Sequence, residues 1–331
     1  MTTTKFEVKK HGFHFDNGTF RTSVGPFPCS VLCGGMSYSA LDYFKCGIRV
    51  PELTKAPAEG NPLEKYLYRR QMTAHYYTWH LFLAAWSAPV PVLGVTSSLV
   101  QGSMKELDYY LSSEGPLVMC LFENMGTGHH VLAIGCDKAK QRIELYDNNH
   151  HDRNCNLTYK NGIWQHSLSS TKWKGWFLDW GHYTDGTRLP PLSWRFCKKC
   201  HSLVTSSFGQ TGKCHAGGSH SHNLVFEYFL PCFVNDGERG WRVCSKCQAL
   251  FYSPSGQATG WCADSNNHTP MSLGKQLLEF GVDSSGQGEK KWHMCKLCFG
   301  LFWAGSGNGT CTVGGTHERS SKQYVVDHRT V

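Results

Sequence analysis

At 331 residues, 40% of them hydrophobic and 18% charged, the chain is long enough for two domains with cores of their own and too apolar for a long disordered tail. Its formal charge of +8 is scattered, apart from short pairs such as Lys9–Lys10 and Lys290–Lys291, which argues against a nucleic-acid groove. No nucleic-acid partner is expected.

The N-terminal stretch MTTTKFEVKKHGFHF has no apolar run of signal-peptide length, and the most apolar segment, HLFLAAWSAPVPVLGV, is too short and proline-broken to span a bilayer. We therefore expect no membrane span, and a protein that is cytoplasmic or exported by a route without an N-terminal signal peptide.

The first chemical signal lies at residues 28–47, PCSVLCGGMSYSALDYFKCG. Met36, Ala40, Leu41 and Phe44 fall at helical spacing after a glycine pair, and Gly47 closes the run. Cys33 stands where that helix begins, and there the free backbone N–H groups and the helix field favour a thiolate. A second helix is predicted in LEKYLYRRQMTAHYYTWHLFLAAW, with Leu67, Met72 and His75 on one side, packed on the first. A shorter helix, MKELDYYLSS, stops at Gly115 and Pro116.

Strands follow. PLVMCLF, HHVLAIGC and RIELYDN read as a sheet, so His129 at a strand start and Asp147 at the end of the next strand can meet. GIWQHS and KGWFLDWGHY continue the strand pattern. A cysteine at a helix start, a histidine at a strand start and an acid at a following strand end is a general arrangement for thiol nucleophiles.

On these motifs, over roughly residues 13 to 185, the chain resembles the papain-like cysteine peptidase superfamily, nearest its bacteriocin-processing branch. The resemblance rests on the Cys33 motif leading into a long helix, the G-H-x-V-type stretch at His129, and Tyr146-Asp147-Asn148-Asn149 in place of a D-P or D-P-N element. It implies a nucleophile at Cys33, a general base at His129 and an orienting acid at Asp147, with Asn149 as the alternative orienting residue. The family's oxyanion glutamine position holds Phe27, leaving Asn17 or Ser30 to serve with the Cys33 backbone N–H. Strand alternation puts the neighbouring His130 on the opposite face.

Sixteen cysteines divide the chain. Six are irregular: Cys29, Cys33, Cys46, Cys120, Cys136 and Cys155. Ten lie after residue 190, and nine of them recur in three copies of C-x2-C, a third cysteine after 13, 14 or 12 residues, and a histidine after five more. The ligand sets are Cys197, Cys200, Cys214 and His220; Cys244, Cys247, Cys262 and His268; and Cys295, Cys298, Cys311 and His317. Such sets suit Zn²⁺, and with four protein ligands each the three ions are expected to be structural. Three thiolates and one Zn²⁺ per site would lower the net charge to about +5. Cys232 falls outside the pattern and reads as a core residue.

Trp194, Trp241 and Trp292 stand three residues before each first cysteine, and Leu203, Leu250 and Leu301 three after each second one. Runs such as QALFY and FGLFW read as strands. The expected organisation is α+β: a papain-like domain over residues 1–187, with helices packed on an antiparallel sheet, then an all-β zinc domain over 188–331, either a closed threefold body resembling a β-trefoil, which the dense tryptophans favour, or three small modules in a row. Its repeats cover about 192–238, 239–289 and 290–331. The functional expectation is a peptidase or isopeptidase acting on a protein or peptide, with the repeat domain recognising a glycan or protein receptor. The alternative is a catalytically inactive papain-like body that binds glycan or protein.

Overall fold

The computed structural model describes residues 1–19, 22–24, 27–29, 32–59, 61–86, 102–124, 127–179, 190–208, 212–230, 237–273, 276–277, 279–284 and 288–330. Ser30 and Cys232 lie outside the described residues, as do the side chains of Phe27 and His75. Among the described residues no helix is long and apolar enough to cross a membrane. The chain divides into two compact units, one of Met1–Lys45 with Glu52–Pro190 and one of Cys46–Pro51 with Pro191–Val331.

In the first unit the short β1 (Thr2–Thr3) and α1 (Val8–His11) lead through the hairpin β2 (Thr22–Val24) and β3 (Phe27–Cys29) to α2 (Cys33–Lys45). Then come α3 (Pro62–Trp86) and α4 (Met104–Ser113), the latter started by Ser103, whose side chain accepts from Lys105 N–H. α2 runs against α3 at a glycine pair: a Cβ on Gly35 would collide with the Leu67 carbonyl, so only glycine allows the approach. Leu67 is buried as its spacing suggests, whereas Met72 is 45% exposed and does not belong to the packed side.

An antiparallel sheet follows: β4 (Leu117–Asn124), β5 (Thr127–Asp137), β6 (Arg142–Tyr146), β7 (Cys155–Lys160), β8 (Ile163–His166), β9 (Lys172–Trp173) and β10 (Gly175–Leu178). Its order is β10-β4-β5-β6-β7-β8-β9, with β1 added on β5. Register shifts at Phe122/Asn124 and Ala133/Gly135 bend β4 and β5, and the sheet curls until β9 returns against β4. Trp164, Trp173 and Trp176, with Leu121, Val131, Leu145 and Leu157, fill the core it encloses.

The second unit repeats one motif. Each copy is a hairpin with a third strand beside it: β11 (Trp194–Phe196), β12 (Leu203–Thr205) and β13 (Phe226–Phe229); β14 (Glu238–Val243), β15 (Leu250–Tyr252) and, after the small pair β16 (Ser272–Leu273) and β17 (Gln276–Leu277), β18 (Glu279–Val282); then β19 (Glu289–Cys295), β20 (Leu301–Trp303) and β21 (Arg319–Thr330). Each tryptophan pairs with an aromatic residue on the third strand: Trp194 with Tyr228, Trp241 with Phe280, Trp292 with Tyr324. All three indoles are fully buried. Pairing of β13 with β21 joins the first and third copies in one six-stranded sheet. Isolated bridges Val204–Ala249, Phe251–Gly300 and Ser202–Phe302 link first to second, second to third and third to first, closing a ring.

These observations correct the expected fold class. The structure is mostly β, 38% strand against 16% helix with four helices among the described residues, and the sheets take barrel-like and half-barrel shapes. The α+β layout of helices packed on a sheet, followed by a β-trefoil-like body, is not what forms. The physical reason is the tryptophan-rich sequence after residue 160: its large side chains fill the inside of a curled sheet, so the sheet supplies much of its own core.

Candidate functional site

Cys33 is the first residue of α2, 6% exposed. Asn148, the residue after Asp147, fastens this first turn in place. Its Nδ2 donates to Cys33 O at 3.0 Å, Ser37 Oγ at 2.9 Å and His130 O at 2.9 Å, tying α2 to β5. Gln71 of α3 adds a bond, its Oε1 accepting from Gly35 N–H at 2.7 Å. The thiol is thus positioned by three separate parts of the chain.

β5 and the end of β6 bring in the second and third residues. His129 Nε2 lies 2.7 Å from Asp147 Oδ1, and both side chains are buried. With Nε2 committed to the carboxylate, Nδ1 is the ring nitrogen left for the thiol. The ring stacks on Trp173, centroids 6.2 Å apart. Asp147 Oδ1 also accepts from Asn149 N–H at 2.9 Å, and its Oδ2 lies 3.1 Å from His166 Nε2. Asn149 therefore supports the carboxylate through its backbone, while Asp147 itself meets the imidazole.

Three partners escaped the sequence reading. His166, on β8, holds the second carboxylate oxygen. His130 does not turn away from the thiol: its Nδ1 is 3.8 Å from Cys33 Sγ, and its Nε2 is 3.1 Å from Asp179 Oδ2. Alternation sends consecutive strand side chains to opposite faces, yet both imidazoles interact with the Cys33 sulfur at the start of α2. Histidines on a strand and an aspartate in KGWFLDWG were visible signals, but their convergence depends on a fold that no local pattern encodes.

Electrostatics follow from this packing. Burial pushes the Cys33 thiol up, but hydrogen bonds from His129 and His130 and the charges of those rings outweigh it and hold the thiol well below its ordinary value. Burial works against the His129 imidazolium, yet Asp147 and then Cys33 raise its pKa to about 10. For His130, burial is likewise overcome by Asp179 and Cys33, giving about 9. Asp147, despite desolvation, is held well below the usual carboxylate range by His129 first and His166 next. These interactions all favour a thiolate over a neutral thiol and charged over neutral imidazoles.

A cavity of about 220 Å³ opens on this group, lined among others by Asn17, Cys33, His129, Asp147, His166 and Trp173. Asn17 is buried, and Leu32 N–H donates to its Oδ1 at 2.6 Å, which fixes Nδ2 as the donor end. One Nδ2 hydrogen goes to Asn149 Oδ1 at 3.0 Å. Asp147, His150 and His166 also lie within metal-ligating reach of one another. However, Leu168 N–H donates to His166 Nδ1 at 3.1 Å, which leaves the proton on Nε2. That nitrogen has no lone pair for a cation, and it lies 3.1 Å from Asp147 Oδ2.

In the second unit each of the three Cys3His sets is buried, with its ligand atoms within 4.8 Å of one another, and can hold a metal ion. Sulfur–sulfur separations are 3.8 Å for Cys197–Cys214, 3.7 Å for Cys244–Cys262 and 3.9 Å for Cys295–Cys311. Sγ to Nδ1 distances are 3.6 Å for Cys200–His220, 3.3 Å for Cys247–His268 and 3.4 Å for Cys298–His317. After each second cysteine a non-glycine residue takes the left-handed conformation, His201, Gln248 and Phe299 all at φ 62, which turns the chain around the site. The far nitrogens tie the copies together: His220 Nε2 donates to Cys247 O at 3.0 Å and His317 Nε2 to Cys200 O at 3.1 Å.

In comparisons with known proteins, no family model matches the chain, and no curated protein or solved structure matches it either.

Proposed function

We propose that the chain is a thiol-dependent hydrolase, a peptidase or isopeptidase working through an acyl-enzyme, with a zinc-stabilised unit that serves recognition. The observation that carries this reading is the meeting, in one pocket, of a depressed helix-start thiol with an imidazole anchored on a buried carboxylate. The motif order also resembles the papain-like peptidases of the bacteriocin-processing branch; that likeness is one of motif and chemistry.

In the first half-reaction the Cys33 thiolate attacks a carbonyl carbon, and the oxygen takes the negative charge. Asn17 Nδ2 and the Cys33 backbone N–H are the donors assigned to that oxyanion. The His129 imidazolium gives its proton to the departing amine as the C–N bond breaks, leaving a thioester. Water then attacks the thioester, His129 takes its proton, and the C–S bond breaks to return the thiolate. Asp147 orients the ring throughout and stabilises its charged form.

Zinc is the assigned metal for the three sites. A tetrahedral ion with metal–sulfur bonds of about 2.3 Å and metal–nitrogen bonds of about 2.0 Å places sulfurs about 3.8 Å apart and sulfur about 3.5 Å from nitrogen. The separations in all three sets are close to those values. Four protein ligands leave no open coordination position, so the ions hold structure and take no part in hydrolysis. A recognition role for this unit accords with its exposed apolar residues, among them Leu224, Val225 and Trp261.

The test is labelling with a peptide-based electrophilic acyl probe. Wild-type protein is expected to be modified at Cys33, at least 100-fold faster than any site on Cys33→Ala is modified. Equal labelling of the two proteins would remove the catalytic claim.

A further inference from the structure

The Cys33 sulfur is approached by two imidazole–carboxylate pairs, and the hydrolytic cycle uses only one. His129 with Asp147 faces the pocket. His130 with Asp179 lies behind, its Nδ1 3.8 Å from Sγ and its Nε2 3.1 Å from the carboxylate, with the Asp179 side chain fully buried. Asp179 also lies near Tyr38 of α2, whose hydroxyl meets the Asp179 backbone oxygen at 3.4 Å. His130 O accepts from Ser37 Oγ at 3.1 Å and from Asn148 Nδ2, so the backbone behind the ring is fixed from α2 and from the loop after β6.

From this geometry we infer that the two histidines divide the work: His130, anchored by Asp179, is the standing cationic partner of the Cys33 sulfur, while His129 moves the proton. The inference rests on the thiol-hydrolase reading and deepens it. A single histidine would have to do two opposed things. It must stay charged to keep the sulfur a thiolate, and it must give up its proton to the leaving amine. Once His129 has done the latter, a lone thioester sulfur would face a neutral ring. With His130 still charged beside it, the sulfur remains a good leaving group when water attacks and the C–S bond breaks, its electron pair returning to sulfur next to a cation. His130 does not line the pocket, in keeping with a group that never meets the substrate.

Among the described residues, the other titratable neighbours do not supply this charge. Cys120 on β4, paired in register with His130, is driven well above its ordinary value by burial and then by the Cys33 and Asp179 charges, so it stays a neutral thiol. On α3, Gln71 is uncharged and Arg70 pairs with Asp42 at 2.8 Å.

The experiment is alkylation of Cys33 by iodoacetamide between pH 4 and 10, followed on the peptide that contains it, alongside hydrolysis of the acyl probe. His129→Gln is expected to lose hydrolysis yet keep rapid alkylation at pH 6, within a few-fold of wild type. His130→Gln and the near-isosteric Asp179→Asn are each expected to move the alkylation midpoint up by about one pH unit or more, slowing the reaction about tenfold on the acid side of the wild-type midpoint. The aspartate variant keeps side-chain volume, so it reads the same contact if the histidine variant misfolds. If either folded variant alkylates as wild type does while His129→Gln alone shifts the midpoint, the division of labour is overturned. A wild-type midpoint near the ordinary thiol value of about 8.5 would instead sink the hydrolase reading itself.

Discussion

Asp147 is the residue on which the site's charge pattern turns. Both of its oxygens are engaged, by His129 and Asn149 on one side and His166 on the other, so it fixes the ring plane as well as the charge. Asp147→Asn keeps the shape but presents an amide to His129 and removes the charge that raises its pKa. Turnover is expected to fall on the order of 10³–10⁴-fold with little change in fold, measured as steady-state probe hydrolysis. The pH profile follows from the same groups. On the proposed mechanism, activity requires the Cys33 thiolate, present above its depressed pKa, and the His129 imidazolium, lost as pH rises through about 10. The profile of kcat/KM should therefore be a bell whose acid limb lies well below the ordinary thiol range and whose alkaline limb lies near pH 10. In the asparagine variant the alkaline limb should move down.

Among the elements, the metal knuckles depend on glycine in a way that couples one repeat to the next. Two residues before each third cysteine stand Gly212, Gly260 and Gly309, all at positive φ, and a Cβ on each would collide with the carbonyl of Cys247, Cys298 or Cys200 respectively. The order of these contacts is the same ring that the strand bridges close. Gly260→Ala should therefore cost about 2 kcal/mol or more in unfolding free energy, combining left-handed strain with a backbone clash, as read by denaturant titration. The G-x-C signature was present in the sequence, but only the closed ring shows what the glycine faces. What could be read locally was read: the three ligand sets, the helix beginning at Cys33, and the strands carrying His129 and leading to Asp147. The curl of the sheet could not be, because it follows from bulges and from tryptophans meeting across strands far apart in sequence. The roles of His166, His130 and Asp179 were lost with it, since each becomes visible only when β5, β8 and the end of β10 stand side by side.

At the scale of the whole molecule, the proposed account gives one chain two kinds of cysteine chemistry, told apart by what surrounds each sulfur. Nine thiols lie in three Cys3His sets that can hold a metal ion, while the Cys33 sulfur lies against imidazole. Metal analysis should return three zinc ions per chain. Stripping them with a strong chelator should unfold the second unit, because structural zinc contributes on the order of 10 kcal/mol per site, and should leave the pH profile of Cys33 alkylation in place. Loss of metal with no change in the circular dichroism of the repeats would contradict the structural assignment. The central claim, however, is that Cys33 carries an acyl group during turnover. Its most direct measurement is intact-mass analysis of protein quenched in acid during reaction with a slowly hydrolysed acyl substrate. The account predicts one substrate acyl group per chain, linked as a thioester on Cys33, labile to hydroxylamine and missing from Cys33→Ala; substrate turnover with no such adduct, or with the same adduct on Cys33→Ala, would contradict it.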